Sequence, residues 1–139
     1  MDIKNGIMET NEILTSLKKA LAGLEIAEFE MNRPHEDVVS MSVCYGARQS
    51  LISLLQLYLV GENLTPSKNI KELYNECLKR DNRFAGINLT SIRCNEIHNE
   101  DCEGRYCLSV DKVSECVKVA KEVKTLVLEK FKINESELN

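Results

Sequence analysis

YGARQSLISLLQLYLV, residues 45–60, is the stretch whose reading decides the fold. From Ala47 onward it is apolar nearly all the way round a helical wheel, the pattern of a helix enclosed by protein on every side. The apolar run from Leu51 is interrupted by Ser53 and Gln56, and it is far shorter than the roughly 20 residues a bilayer-spanning helix needs. The stretch therefore reads as the central helix of a soluble bundle, and the sequence on either side supplies helices to surround it.

Upstream, Leu14, Leu17, Leu21 and Leu24 repeat at spacings of three and four, with Lys18, Lys19 and Glu25 between them. This predicts a first helix over 10–31, ended by Asn32-Arg33-Pro34-His35 because proline cannot continue a helix. The central helix is expected to begin near Glu36, with Glu36 and Asp37 in a first turn that favours negative charge, and to end at Gly61. Thr65-Pro66-Ser67 is expected to open a third helix, whose buried face is Ile70, Leu73, Tyr74, Cys77 and Leu78 and whose stop is Asp81-Asn82. Ile87, Leu89, Ile92 and Ile97 suggest a fourth helix from about residue 84, giving way to polar residues 101–104. A last helix, capped by Ser109 or Asp111, carries a stripe of Val113, Val117, Ala120, Val123 and Val127. Strand signals are absent. The prediction is an all-α, up-and-down bundle of about five helices, one domain over residues 1–139 with its core within about 10–131 and a polar, fraying tail from Asn134.

Composition narrows the function classes. The 139 residues are 43% hydrophobic and 29% charged, with two prolines and six glycines, a profile of a globular domain. A net charge of −4 argues against a nucleic-acid coat, which needs a surplus of Lys and Arg, while leaving room for a small basic cleft. The first residues lack the apolar stretch of a signal peptide, so the expectation is a cytoplasmic protein with no membrane partner, whose six cysteines are reduced.

Residues 45–59 resemble the second-helix signature of the HEPN family: an aromatic, a polar pair with Gln, then an apolar run ending in a Tyr-Leu-like pair. LTPSKNIKEL, residues 64–73, resembles that family's Pro-x-x-His-Asp-Leu-x-x-Leu start of the third helix, and Arg105-Tyr106 resembles its Arg-Tyr-Pro. The order of elements agrees over roughly residues 10–131. Gly46, Ile52, Ser67-Lys68-Asn69 and Cys107 depart from the family's usual residues. The resemblance implies a helical bundle that dimerises around a cleft. It also implies a metal-independent ribonuclease of toxin–antitoxin or defence systems, a partner of a small nucleotidyltransferase, or a non-catalytic binding module. No cofactor is implied.

Catalytic members of that family carry Arg-x(4–6)-His, and RCNEIH, residues 93–98, has this form. Arg93 would hold the scissile phosphate with its planar fork, and His98 would move the proton between the 2′-hydroxyl and the leaving oxygen. Asn95 could donate to the same phosphate. In an unbroken helix of roughly 3.6 residues per turn, however, positions five apart diverge by about 140°. Convergence therefore requires a helix end or a partner subunit. Cys94, rather than a polar residue, follows the arginine.

Cys94, His98 and Cys102 are spaced by four, and Cys107 follows, so a tetrahedral zinc site can be drawn. The alternative is that reduced cysteines fill small apolar volumes, as expected for Cys44, Cys77 and Cys116. His35 reads as a loop-stabilising residue. Lys118, Lys121 and Lys124 read as a solvated face, because Glu115 and Glu122 alternate with them. Tyr45, Tyr58, Tyr74 and Phe131 read as core or interface packing. Arg48, in the buried helix, is expected either to form an intrachain ion pair or to line a dimer cleft.

Together these expectations favour a dimeric nucleotide-, RNA- or partner-binding module, with Asn95, Arg48, Arg105 and Tyr106 in the binding region. The alternatives are a toxin-type endoribonuclease using Arg93 and His98, and a small zinc-binding helical protein.

Overall fold

The computed structural model describes residues 10–62, 64, 67–89, 102–103, 106–107 and 110–138. Four α-helices occupy most of them: α1 Thr10–Met31, α2 Ser40–Tyr58, α3 Ile70–Arg80 and α4 Val110–Phe131. A short antiparallel ladder, β1 Cys102–Glu103 and β2 Tyr106–Cys107, precedes α4. The all-α class is observed.

The central position of α2 follows from its sequence. It packs against α1, α3, α4 and β2, and Val43, Cys44, Ala47, Leu51, Leu54 and Leu55 are fully buried along it. The predicted stripes of the first and last helices also lie inward: Leu17, Leu21 and Leu24 on α1, and Val113, Val117, Ala120, Val123 and Val127 on α4.

α1 and α2 approach through glycines. A Cβ added at Gly46 would stand 2.5 Å from the Gly23 carbonyl oxygen, and one at Gly23 would stand 2.7 Å from the Gly46 carbonyl oxygen. Beside this contact the buried Leu24 amide donates to Ser50 Oγ at 2.7 Å. One residue pair thus removes the side chains that would hold the helices apart, and a neighbouring hydroxyl supplies a polar lock.

Several helix boundaries differ from the sequence reading. Glu36 and Asp37 do not begin α2; they lie in a separate 3₁₀ turn, His35–Asp37, closed by the Asp37 amide on the Pro34 carbonyl. The chain has to reverse direction here. Extended Val39 completes the reversal, its amide donating to Glu30 Oε2 at 2.9 Å, and the helix starts only at Ser40. The third helix likewise opens later than Thr65-Pro66-Ser67. Asn69 is its N-cap, accepting from the Glu72 amide, while Ser67 Oγ donates to Glu72 Oε2 and accepts from the Asn69 amide. Polar side chains therefore define this start, and proline does not.

The expected fourth helix does not form where residues are described. Asp81 Oδ1 accepts from the Arg83 amide and caps a 3₁₀ turn over Asn82–Gly86, after which Ile87 is extended. The turn is retained because Phe84 is fully buried and its carbonyl is taken by the Tyr74 hydroxyl at 2.6 Å. The rest of the expected helix, with Ile92 and Ile97, lies outside the described residues. Four α-helices, rather than five, are thus present among the described residues, and the extended structure that the sequence did not signal is the β1–β2 ladder. Strands of two residues each are too short to show a period of two.

Past α4, Lys132 adopts a left-handed φ of 56° and the Ile133 amide returns to the Leu128 carbonyl, which seats Ile133 in the core. In the tail, Glu135–Leu138 form a 3₁₀ turn, and Glu135 pairs with Lys124 at 3.2 Å. Among the described residues, no helix is long and apolar enough to cross a membrane.

Gly46→Ala is expected to destabilise the fold by roughly 1–3 kcal/mol in urea denaturation, because backbone faces backbone and neither helix can yield locally. Gly86→Ala, where an added Cβ meets nothing within 4 Å, is expected to leave the midpoint nearly unchanged.

Candidate functional site

Two of the sequence-predicted binding residues, Arg48 and Tyr106, lie on elements that pack against each other. Arg48 lies on α2 with only 9% of its surface exposed, and it is engaged within the fold rather than free. β2, which contains Tyr106, packs against that same helix. Arg48 and the Tyr106 strand thus belong to two elements that pack on each other, α2 and β2. Arg93, Cys94, Asn95, His98 and Arg105 lie outside the described residues. Cys102 and Cys107 are placed by the ladder as directly opposed residues. Among the described residues, no three His, Cys, Asp or Glu side chains gather as metal ligands.

The other sequence expectations divide by burial. Cys44, Cys77 and Cys116 are buried thiols outside any disulfide, as predicted for packing residues. Burial pushes the Cys77 thiol up to about 12, which keeps it protonated and inert at neutral pH. Lys121 is exposed and Lys124 reaches Glu135, consistent with a solvated face. Tyr58 and Tyr74 pack as expected, but Tyr45 is 54% exposed. It points away from the core on a helix whose inward positions are already filled by Cys44, Ala47 and Arg48. Ile26 and Phe29 on α1, Val39 just before α2 and Met41 on α2 are also exposed, so these helices and the link between them carry five large exposed apolar side chains.

A polar cluster that the sequence reading missed joins α2, the 3₁₀ turn and α4 at the opposite end of α2. The Tyr58 hydroxyl donates to Asp81 Oδ2 at 2.6 Å, and Arg83 Nε and Nη2 clasp the same carboxylate at 3.1 and 2.8 Å. Arg83 also pairs with Glu129 on α4. The Lys130 ammonium donates to the Tyr58 carbonyl and sits 4.3 Å from the centre of its ring. Each charge in the cluster has a partner, so its role is to fasten helix ends. Nothing in the separate positions 58, 81, 83, 129 and 130 marks them as neighbours; only the fold brings them together.

The two halves of the Tyr58–Asp81 pair shift in opposite directions. Arg83, and then the Tyr58 hydroxyl, hold the Asp81 carboxyl well below the usual carboxylate range. Burial, and then the bond to Asp81, push Tyr58 up to about 12. Comparison with protein-family models, with curated proteins and with solved structures gives no match.

Because the native Asp81 carboxyl is more acidic than the unfolded one, its contribution is complete above about pH 4 and is lost as pH falls toward its native value. Asp81→Asn is expected to lower stability at pH 7 and to reduce the additional loss seen at pH 3, measured by urea titration at both values. At the alkaline end the signs reverse. Tyr58 and Cys77 ionise more readily in the unfolded chain than in the fold, so stability is full below about pH 8.5 and declines as pH rises toward 12, which urea titration across that range measures.

Proposed function

We propose that this chain is a HEPN-like helical module that works as a homodimer and binds a nucleotide or RNA phosphate, or a protein partner such as an antitoxin or a small nucleotidyltransferase. The observation that carries the reading is the burial of Arg48 on α2, the helix against which the Tyr106 strand packs. An arginine has five donors in a planar fork, and in surroundings of low dielectric its attraction for a phosphate is much stronger than at an open surface. The net charge of −4 favours such a single local contact over a spread basic surface. Arg105, Tyr106 and Asn95 complete the binding region in this reading.

Dimerisation is supported by the exposed apolar side chains of Ile26, Phe29, Val39, Met41 and Tyr45 on α1, α2 and the link between them. Their exposure supports an interaction surface, because large exposed apolar patches mark protein–protein contacts.

Light scattering is expected to give twice the 15.8 kDa chain mass, and Phe29→Glu to return the monomer with its helical circular dichroism unchanged. A fluorescent single-stranded oligoribonucleotide is expected to bind and remain intact, with Arg105→Ala weakening binding about tenfold, the equivalent of about 1.4 kcal/mol. A monomer that binds neither RNA nor nucleotide would overturn the proposal. Cleavage of the RNA by the unaltered protein, abolished in Arg93→Ala and His98→Ala, would replace it with the endoribonuclease reading.

A further inference from the structure

Of the five cysteines in the described residues, three are buried on separate helices, and the other two, Cys102 and Cys107, stand directly opposite one another in the β1–β2 ladder. We propose that Cys102 and Cys107 are a reversible thiol–disulfide couple, oxidised across the ladder by a low-molecular-weight disulfide of the glutathione class.

Register carries the argument. Opposed residues of an antiparallel pair have Cα atoms about 5.5 Å apart if they exchange hydrogen bonds and about 4.5 Å apart if they do not. Both separations fall within the roughly 4.4–6.8 Å between Cα atoms that a disulfide bridges, and the closer, non-hydrogen-bonded phase also brings the Cβ atoms nearest to the roughly 3.5–4.5 Å that the bond needs. Directly opposed residues also share one face of a ladder. Cys44, Cys77 and Cys116 have no such relation to each other: they lie buried on three different helices, α2, α3 and α4.

The step balances with the named oxidant. The thiolate of one cysteine attacks a sulfur of the small disulfide, forming a mixed disulfide and releasing one small thiolate. The thiolate of the second cysteine then attacks the protein-bound sulfur, the Cys102–Cys107 bond forms, and a second small thiolate leaves. The two protons lost by the cysteines are taken up by the two released thiolates. The protein is oxidised by two electrons and the small disulfide is reduced by two.

The same opposed pair could supply two ligands to zinc, but a structural zinc site needs four. A disulfide needs only the pair that the register provides. Its consequence is local. An isolated two-stranded hairpin is marginal in water, and here each strand has two residues, so a covalent link converts a weakly held ladder on α2 into a fixed one.

The test equilibrates the full chain across a series of reduced and oxidised glutathione mixtures, traps free thiols by alkylation, and measures intact mass and disulfide-linked peptides. The expected product is two hydrogens lighter, with its bond mapped to Cys102 and Cys107, and it is restored to the thiol form at the reduced end of the series. Cys94→Ser retains the product, and Cys102→Ser and Cys107→Ser each abolish it. Peptide mapping of the unaltered protein decides the matter even if a serine variant folds poorly. The proposal is overturned if the protein stays reduced throughout, carries only glutathione adducts, or forms a bond that includes Cys94. It is also overturned if the purified protein holds stoichiometric zinc that blocks oxidation and is lost in either variant.

Discussion

The contact between Gly23 on α1 and Gly46 on α2 is the constraint from which the rest of the packing follows. With a methyl group at either position, Cβ would meet a carbonyl oxygen at 2.5–2.7 Å, so the two helices lie as close as they do only because both residues are glycine. Helical glycine costs about 1 kcal/mol relative to alanine, and the close approach offsets that cost by bringing two apolar faces together along their length. Ser50 extends the same contact, its hydroxyl accepting from the Leu24 amide in the buried interface. Once α1 and α2 are paired this tightly, their shared inner face presents Leu17, Leu21, Leu24, Ala47, Leu51 and Leu54 as a single apolar surface for α4 to cover.

The other end of α2 is held by a different kind of force. Tyr58, Asp81, Arg83, Glu129 and Lys130 come from α2, the turn after α3, and α4, and they are linked by charge-assisted hydrogen bonds and a cation–ring contact. Exposed ion pairs taken singly contribute little, because water screens them and side-chain order is lost in forming them. Here Tyr58 is buried and its hydroxyl bond to Asp81 is short, so the pair pins α2 to the turn that carries Phe84. The Tyr58 and Phe84 rings, with centres 4.9 Å apart and edges to faces, fill the volume beneath. The bundle is thus closed by backbone proximity at one end and by polar fastening at the other. The β1–β2 ladder docks on the helix common to both.

Much of the fold was legible in the sequence because helices with a long apolar repeat declare themselves locally. α1 begins and ends where Leu14 to Leu24 and Asn32-Arg33-Pro34 place it, and the valine stripe predicted for the last helix is the buried face of α4. The misplaced boundaries share one cause: each depends on a partner distant in sequence or on a polar side chain in the preceding loop. The start of α2 waits on the Glu30 carboxylate, the start of α3 on Ser67 and Asn69, and the apolar residues after Asp81 are diverted into a 3₁₀ turn by Tyr74. The site was legible as a list of residue types and not as a place. Arg48 was marked by its charge within an apolar helix, but nothing local indicated that the Tyr106 strand packs on the same helix. Cys102 and Cys107 were visible as cysteines, and only the strand register made them partners.

By itself the sequence determined an all-α chain, the helix at its centre, and the faces that lie inward, because hydrophobic periodicity is a property of consecutive residues. Tertiary structure alone decided where the helices stop, how closely α1 and α2 approach, which charges fasten α2 to α4, and which cysteines face each other. Each of those depends on groups far apart in the chain, whose meeting is fixed by packing and whose energies arise only once water has been excluded between them.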